Sequence, residues 1–436
     1  MKLPQGDAVA PVPFREALPT WIRVALLSFG GPAGQIAVMH RLLVEERKWI
    51  REDRFLHAMS YCMLLPGPEA QQLATYLGWL LHGKRGGLWA GLLFIVPGFV
   101  SIFGLSVLYH AYRDSALFGA LFFGLKPAVI AVVLAALVGM GRRTLTTVRH
   151  RTIAAGAFVA IFFFRVWFPL IVAVSGLAGY FTDVSGAGST AGSPASRPSV
   201  TGTLGSAIVW LGVWWLPIAV LAIAFGTASV FVKEALFFSR AAMVTFGGAY
   251  AVLAYVAQMA VESYHWLLPG EMLDGLGMAE TTPGPLIQVV QFVGFMGAAR
   301  QAGGMSPFLA GTLGALVTTW VTFAPCFLFV FTGAPWAEHL RGSRRLNAAM
   351  ASITAAVVGV ILNLGVWFAL HTLFAEVASA RFGMVRVLVP QWASVSWASA
   401  AIAAGCCIAM IRFRAGMLAT LAVSTLLGFL YSRLVS

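Results

Sequence analysis

Charge is what this sequence has least of. Of 436 residues only 10% are Asp, Glu, Lys or Arg, while 59% are apolar. A soluble domain carries about 25% charged residues and roughly 45–50% apolar ones. The shortage excludes a water-covered surface of ordinary extent, and several apolar runs exceed the roughly 18 residues that mark a spanning helix. Cysteine is scarce too. Cys62, Cys326, Cys406 and Cys407 form no CxxC pair and lie in or beside apolar segments, so they read as small core hydrophobes rather than a zinc site or disulfide framework. The histidines, His57 and His371 among them, show no His-Glu-x-x-His spacing, and no Gly-x-x-x-x-Gly-Lys-Ser/Thr loop occurs. No metal or cofactor is expected. Alternation with period two over ten-residue stretches is missing, which excludes a transmembrane barrel. The amino-terminal stretch has no apolar core followed by a small-residue cleavage site, so the first apolar segment is expected to act as the insertion signal.

Net charge is +13. In a membrane protein this follows from Lys and Arg gathering in cytoplasmic loops, and part of it can attract an anionic substrate. Basic runs interleaved with aromatics are missing from exposed segments, so the expected partner is the lipid bilayer and not nucleic acid.

What the sequence has is a series of apolar segments, at about 18–44, 56–82, 88–112, 116–140, 152–181, 205–232, 237–261, 272–298, 305–333, 346–374, 391–411 and 413–432. A membrane interior admits only helices or closed barrels, so these are expected to be helices, some of them split or not crossing. The expected fold is an all-α integral membrane protein with two homologous transmembrane domains in inverted repeat and broken or re-entrant helices. Its parts are a tail at 1–17, a first membrane repeat at 18–181, a Gly/Ser/Thr-rich linker at 182–204, a connecting transmembrane helix at 205–232 and a second repeat at 233–436.

The duplication is visible in the residues. Ser28-Phe29-Gly30-Gly31 matches Thr245-Phe246-Gly247-Gly248, and Pro66-Gly67-Pro68 matches Pro283-Gly284-Pro285, both at a shift of 217. Glu45/Glu262, Trp49/Trp266 and Gln71/Gln288 keep that register; further on it slips by four, and Lys126 faces Asn347. Orientation follows from the basic residues. The loop after the first segment holds Arg47, Lys48, Arg51 and Arg54, whereas its counterpart has Glu262 and Glu271. Near 113 there is only Arg113, but its counterpart region has Arg341, Arg344 and Arg345. The bias changes sides, as in inverted-repeat transporters. Lys84-Arg85 and Arg142, Arg143, Arg149 and Arg151 fit the cytoplasmic side only if 56–82 does not cross. Segments 56–82 and 272–298 are therefore expected to be re-entrant hairpins turning at Pro-Gly-Pro. The rival is that both cross as broken helices.

A proline inside a helix removes a donor and clashes with the preceding turn, at about 3 kcal/mol. Backbone groups freed by the break cannot face lipid and must face protein or a watery cavity. The helix that restarts presents unpaired amides and roughly half a positive charge, an arrangement that binds anions. Pro66, Gly67, Pro68, Gln71 and Gln72 in copy one, with Pro283, Gly284, Pro285 and Gln288 in copy two, are thus candidate contacts for an anion; a kink used only for packing is the plainer alternative. A second break holds Ser28, Gly30, Gly31, Pro32, Gly34 and Gln35, matched by Thr245, Gly247 and Gly248. Small residues there also let two backbones approach closely. Amide, hydroxyl and Gln donors suit a tetrahedral oxyanion. Lys126, well inside its apolar segment, is the leading counter-charge candidate, since a cation there costs roughly 2.5–3.5 kcal/mol; snorkelling is its alternative. Arg165, flanked by aromatics, ranks second. Glu69 and Glu280, beside the two Pro-Gly-Pro turns, are candidates for proton coupling, because a desolvated carboxylate holds a proton more readily.

The runs Ser28-Phe29-Gly30-Gly31-Pro32-Ala33-Gly34-Gln35 and Pro66-Gly67-Pro68-Glu69-Ala70-Gln71-Gln72-Leu73-Ala74, with Lys48-Trp49-Ile50 leading into Asp53-Arg54-Phe55, resemble the chromate ion transporter family in its long, two-domain form. Weaker copies at 245–248 and 283–288 extend the likeness over nearly the whole chain. The resemblance implies gradient-driven chromate export from the cytoplasm across a bacterial-type inner membrane, giving chromate resistance, with sulfate as a similar competitor. Copy two has Ala249, Ala251 and Val252 where copy one has Pro32, Gly34 and Gln35, which favours copy one as the anion-contacting half. The expectation is a secondary active antiporter with no enzymatic activity, its homodimeric assembly left open. A sulfate or other anion permease, a channel and a membrane enzyme acting on lipid-linked substrates are the alternatives.

Overall fold

The computed structural model of the protein describes residues 12–29, 31–181, 200–246, 249–333, 336, 344–383 and 385–435. Gly30, Gly247, Gly248, Arg341 and positions 182–199 of the expected linker lie outside the described residues.

Copy one opens with α1 (Phe14–Leu27) and α2 (Gly31–His40), the latter widening into a π turn at Arg41–Glu46. The apolar segment 18–44 is thus two helices. Next, α3 (Glu52–Cys62) runs into the first Pro-Gly-Pro turn and α4 (Glu69–Tyr112) leaves it. Within α4, His82 and Gly83 have non-helical backbones, so it comprises two helices in series. The long α5 (Ala116–Thr144) and the pair α6 (Val148–Phe164) and α7 (Phe168–Phe181) complete the copy. Segment 152–181 is split because Arg165 ends α6 in the left-handed conformation, φ 51°.

The connecting helix α8 (Val200–Phe225) starts inside the expected linker, and α9 (Val230–Met243) starts inside the expected connector. The reason is local: Gly226 turns the chain at φ 79°, and Ser229 caps α9 by accepting from the Val232 amide. Copy two then repeats the plan. After α9 come α10 (Ala249–Gln258), a π turn at Met259–Ser263, and α11 (Glu271–Thr281) running into the second Pro-Gly-Pro turn. A short 3₁₀ turn, Leu286–Gln288, and α12 (Val289–Arg300) leave it, a loop stands where α4 has its interruption, and α13 (Pro307–Gly333) follows. The long helix is α14 (Arg344–Leu373) and the final pair is α15 (Trp397–Cys407) and α16 (Met417–Val435). Between them, outside every apolar segment, lies an antiparallel hairpin of β1 (Val377–Phe382) and β2 (Val385–Pro390), a departure from purely helical structure.

Backbone exceptions recur with the elements. Lys48 and His265 take φ of 54° and 53°, Gly67 and Gly284 take 124° and 110°, and Arg165 and Arg414 take 51° and 54°. Neither 56–82 nor 272–298 is one continuous helix. The 11 residues of α3 and of α11 each reach about 16 Å, half the roughly 30 Å of a bilayer core. Such half-length helices suit both a re-entrant hairpin and a broken crossing.

Among the described residues six helices are long and apolar enough to cross a membrane: α4, α5, α8, α13, most of α14, and α16. α8 and α16 expose Leu204, Ile208, Leu216, Ile223, Leu426 and Leu430, as lipid-facing helices should. The centre belongs to the helices that restart after the Pro-Gly-Pro turns, where Ala70–Gly78 and Leu286–Ala299 are buried without interruption. Each copy's last two helices pack on the other copy: α6 and α7 on α14, α15 and α16 on α5. At the α5–α16 crossing Gly124 and Gly428 let backbones touch, and the Ser424 hydroxyl donates to the Gly124 carbonyl. Close approach of this kind drives helix association in lipid, where apolar burial alone contributes little.

Candidate functional site

The four helix breaks meet at one place. In each Pro-Gly-Pro turn the glycine takes a positive φ that only glycine adopts without strain. A Cβ on Gly67 would sit 2.9 Å from Cys326 Sγ, and one on Gly284 would sit 2.8 Å from Gly98 Cα. The Gly67 amide donates to the Thr245 carbonyl at 2.8 Å, and the Gly284 amide donates to the Ser28 carbonyl at 2.9 Å. Each copy's proline turn is therefore bonded to the other copy's Ser/Thr break. These residues share the shift of 217, so the two bonds are equivalent under the repeat.

The side chains around the breaks are buried. Ser28, Gln35, Gln71, Gln72 and Gln288 are at most 1% exposed. The Ser28 hydroxyl donates to its own helix at the Val24 carbonyl, 2.6 Å, and Thr245 likewise to Ala241, 2.7 Å. Those hydroxyls hold helix ends, and the two glycine amides hold the copies together. Gln35 Nε2 donates to the Gly284 carbonyl at 2.6 Å, adding a contact between copies that Val252 cannot repeat. Gly34 is needed for the tight break, since a Cβ there would collide with the Phe29 carbonyl oxygen. Gln72 Nε2 donates to the Pro66 carbonyl, 2.7 Å, and Gln71 Nε2 to Thr75 Oγ1, 3.0 Å. Gln288 Nε2 reaches Gln291 Oε1 at 2.6 Å and Thr319 Oγ1 at 3.1 Å. Among the described residues Gln71 Oε1 and Gln288 Oε1 have no partner. Pro68 and Pro285, the N-caps of the restarting helices, provide no side-chain cap, so first-turn amides lack intrahelical partners there.

Of the two carboxyl candidates, Glu280 stands at the junction. Its Oε1 accepts from the Tyr250 hydroxyl at 2.5 Å while its Oε2 has no partner among the described residues. The Cβ direction of Gly31 points to the same hydroxyl, 3.9 Å away. Glu69 is half-buried at the first position of α4.

The structure gives Lys126 a different neighbour from the breaks. Its Nζ lies 3.3 Å from Asp274 Oδ1, and the Tyr109 hydroxyl donates to Asp274 Oδ2 at 2.8 Å. Glu271, one turn before Asp274, accepts from Arg113 at 3.1 Å and from Arg300 at 2.5 Å. Asp274 precedes Glu280 by six residues, roughly 9 Å along α11. Lys126 thus belongs to a charged network that joins α4 and α5 of copy one to α11 and α12 of copy two. Arg165 is ion-paired with Glu262, in a cavity also lined by Gln258, Asn363 and Trp367, apart from the breaks.

Sequence reasoning missed Tyr250, Gln291 and Asp274 as parts of this region. Asp274 could have been found by the rule that singled out Lys126, an ionised group inside an apolar run. Tyr250 could not, because its counterpart in copy one is Ala33.

Comparison with known proteins gives a consistent picture. The family described as "Chromate transporter" matches residues 16–180 and again 232–429. A chromate transport protein of Pseudomonas aeruginosa is 32% identical over 357 residues, 80% of each chain. A probable chromate transport protein of Synechococcus elongatus is 26% identical, over 79% of this chain and 83% of its own. A chromate transport protein of Cupriavidus metallidurans is 25% identical over 86% of both chains. No solved structure matches this chain.

Proposed function

The chain belongs to the chromate transporter family, and from that premise we propose that it is a secondary active antiporter exporting chromate across a bacterial-type inner membrane. Two copies in inverted orientation, related by the swapped bias of basic residues, rock against each other around a fixed site. One observation carries this reading: the reciprocal bonds from Gly67 to Thr245 and from Gly284 to Ser28 tie a broken helix of each copy to a break in the other. A carrier of this type needs its ligand groups where the repeats meet.

In this reading the oxyanion is held mainly by copy one. The restarting ends of α2 and α4, with Gly31, Gly34, Gln35, Gln71 and Gln72, supply amide donors, and Pro32 fixes the backbone at the first break. The turn at Pro285 and the Gln288 side chain complete the cradle from copy two. Glu280 and Glu69 take up the coupling proton. Because the cradle side chains are buried, substrate reaches them only when helices separate, which fits alternating access better than an open pore. Sulfate, tetrahedral and doubly charged like chromate, is the competing substrate.

The test is flux of labelled chromate and sulfate into everted and right-side-out vesicles under imposed gradients. Gradient-dependent chromate uptake into everted vesicles, competed by sulfate, is expected. Sulfate movement with chromate ignored would make the protein a sulfate permease, and flux independent of any coupling gradient would make it a channel.

A further inference from the structure

Copy two holds a carboxyl group that the transport reading does not use. Glu234, in the second turn of α9, is 0% exposed, and neither of its carboxyl oxygens has a hydrogen-bond partner among the described residues. The two oxygens lie against glycines of two different helices. A Cβ on Gly297 of α12 would be 2.8 Å from Oε1, and one on Gly314 of α13 would be 3.0 Å from Oε2. The carboxyl is wedged into the α12–α13 crossing, where only glycine leaves room for it. Two further buried polar atoms border the same crossing without partners: Trp266 Nε1, whose ring flanks Gly297, and Thr318 Oγ1, which abuts Gly294.

No counter-charge faces this carboxyl among the described residues. α8 and α13 contain no Asp, Glu, Lys or Arg. On α9 itself, Lys233 and Arg240 are exposed. From α10 come Tyr250, engaged with Glu280, and Tyr255, beside Trp167. Beyond the following π turn, Tyr264 stacks on Trp266 and His265 bonds the Val261 carbonyl. The one cation of α12, Arg300, is held by Glu271 and the Trp266 carbonyl. A bare carboxylate sealed in such surroundings costs so much that in practice the group neutralises. Packing does not require an acid here. At the shift of 217 copy one has Ala17, also 0% exposed.

We propose that Glu234 is a proton-binding site, loaded while α12 and α13 are closed on it and exchanging its proton when that crossing opens to water. The far end of the same helix leads to Thr245, whose carbonyl receives the Gly67 amide. Proton exchange and the geometry of the breaks are thereby linked through α9. The inference deepens the antiporter reading but its first readout is independent of transport.

The experiment is infrared spectroscopy of the purified full chain in liposomes, wild type against Glu234→Gln and Glu234→Asp. A protonated-carboxyl band at neutral pH that is lost in Glu234→Gln and shifted in Glu234→Asp is expected. Wild-type and Glu234→Gln spectra that superimpose in that region would overturn the proposal. So would a band that appears only when sodium is withdrawn, because the ligand would then be a metal cation. Proton movement accompanying anion flux, followed with a pH dye inside the liposomes, is expected to fall at least severalfold in Glu234→Gln while remaining in Glu234→Asp. If wild-type liposomes move no chromate or sulfate, the substrate reading fails while the infrared result still decides this one.

Discussion

Replacing Lys126 by alanine strips buried Asp274 of its cation and leaves it, among the described residues, the Tyr109 hydroxyl. The Asp274 side chain is 5% exposed and that of Lys126 is 30% exposed. Removing one partner of a fully buried pair costs about 3–5 kcal/mol. Lys126 keeps some access to water, which lowers the expected loss to about 2 kcal/mol. Adding Asp274→Asn removes the orphaned charge, so the double variant should recover most of that loss, a coupling of about 1–2 kcal/mol. The assay is the fraction of folded, monodisperse protein after graded heating in detergent, for wild type, both single variants and the double variant, alongside chromate flux at matched protein. If Lys126 serves Asp274, flux follows stability and the double variant transports, which is the expected result. A double variant that is stable yet inactive would return Lys126 to the role of counter-charge for the anion. Lys126→Ala with undiminished stability would refute the reasoning outright, since the pair would then contribute nothing.

Gly284→Ala should destabilise more than Gly67→Ala, by about 1–3 kcal/mol in excess of strain common to both, because its Cβ meets Gly98 backbone while that of Gly67 meets movable side chains; equal heating curves would oppose this. Gln71→Ala should raise the apparent KM for chromate severalfold and Gln288→Ala should mainly lower stability, because Gln288 Nε2 has two side-chain partners and Gln71 Nε2 has one; the reverse pattern in flux kinetics would make copy two the dominant half. Cysteines at the exposed, left-handed positions Lys48 and His265 should label from opposite membrane faces, and same-face labelling would defeat the inverted orientation. Trp266 is fully buried and would not serve as the second site.

The duplicated frame was legible because its residues do backbone work that no substitute performs. Gly67 and Gly284 occupy positive φ, and the prolines around them stop helices wherever they stand in an apolar run. Side-chain pairing was less legible. Lys126 stood out as an unmatched cation in its own segment, but its partner lies 148 positions away, in a stretch read from its apolar residues. Ser28 and Thr245 stood out as hydroxyl donors, yet sequence could not show that each donates to its own helix one turn back. Helix ends within a long apolar run were legible only where glycine or proline marks them. Arg165 ends α6 through its backbone conformation, which its side chain does not announce.

The division between what is duplicated and what is not bears on mechanism. The Pro-Gly-Pro turns and the Ser/Thr breaks occur in pairs, but four acids of copy two do not. Opposite Glu280, Asp274, Glu271 and Glu234 in copy two stand Met63, His57, Arg54 and Ala17 in copy one. If the copies are inverted as proposed, a frame built of two like copies admits two arrangements of similar energy, each the other with the copies exchanged. The network of Arg113, Lys126 and Arg300 with Glu271 and Asp274 has Arg54 and His57 in place of its two carboxylates at the equivalent end. On the proposed alternating reading, what the two ends contribute unequally biases the equilibrium between the two arrangements. Each 1.4 kcal/mol or so of such one-sided contribution shifts the two populations about tenfold. A carrier that must release its cargo against a gradient gains direction from an inequality of this kind only if a ligand or proton can offset it at the right step. Glu280 at the breaks and Glu234 behind them are both acids in the copy that supplies the network's carboxylates, so on the proposed reading protons bound there would act on the arrangement that the network favours.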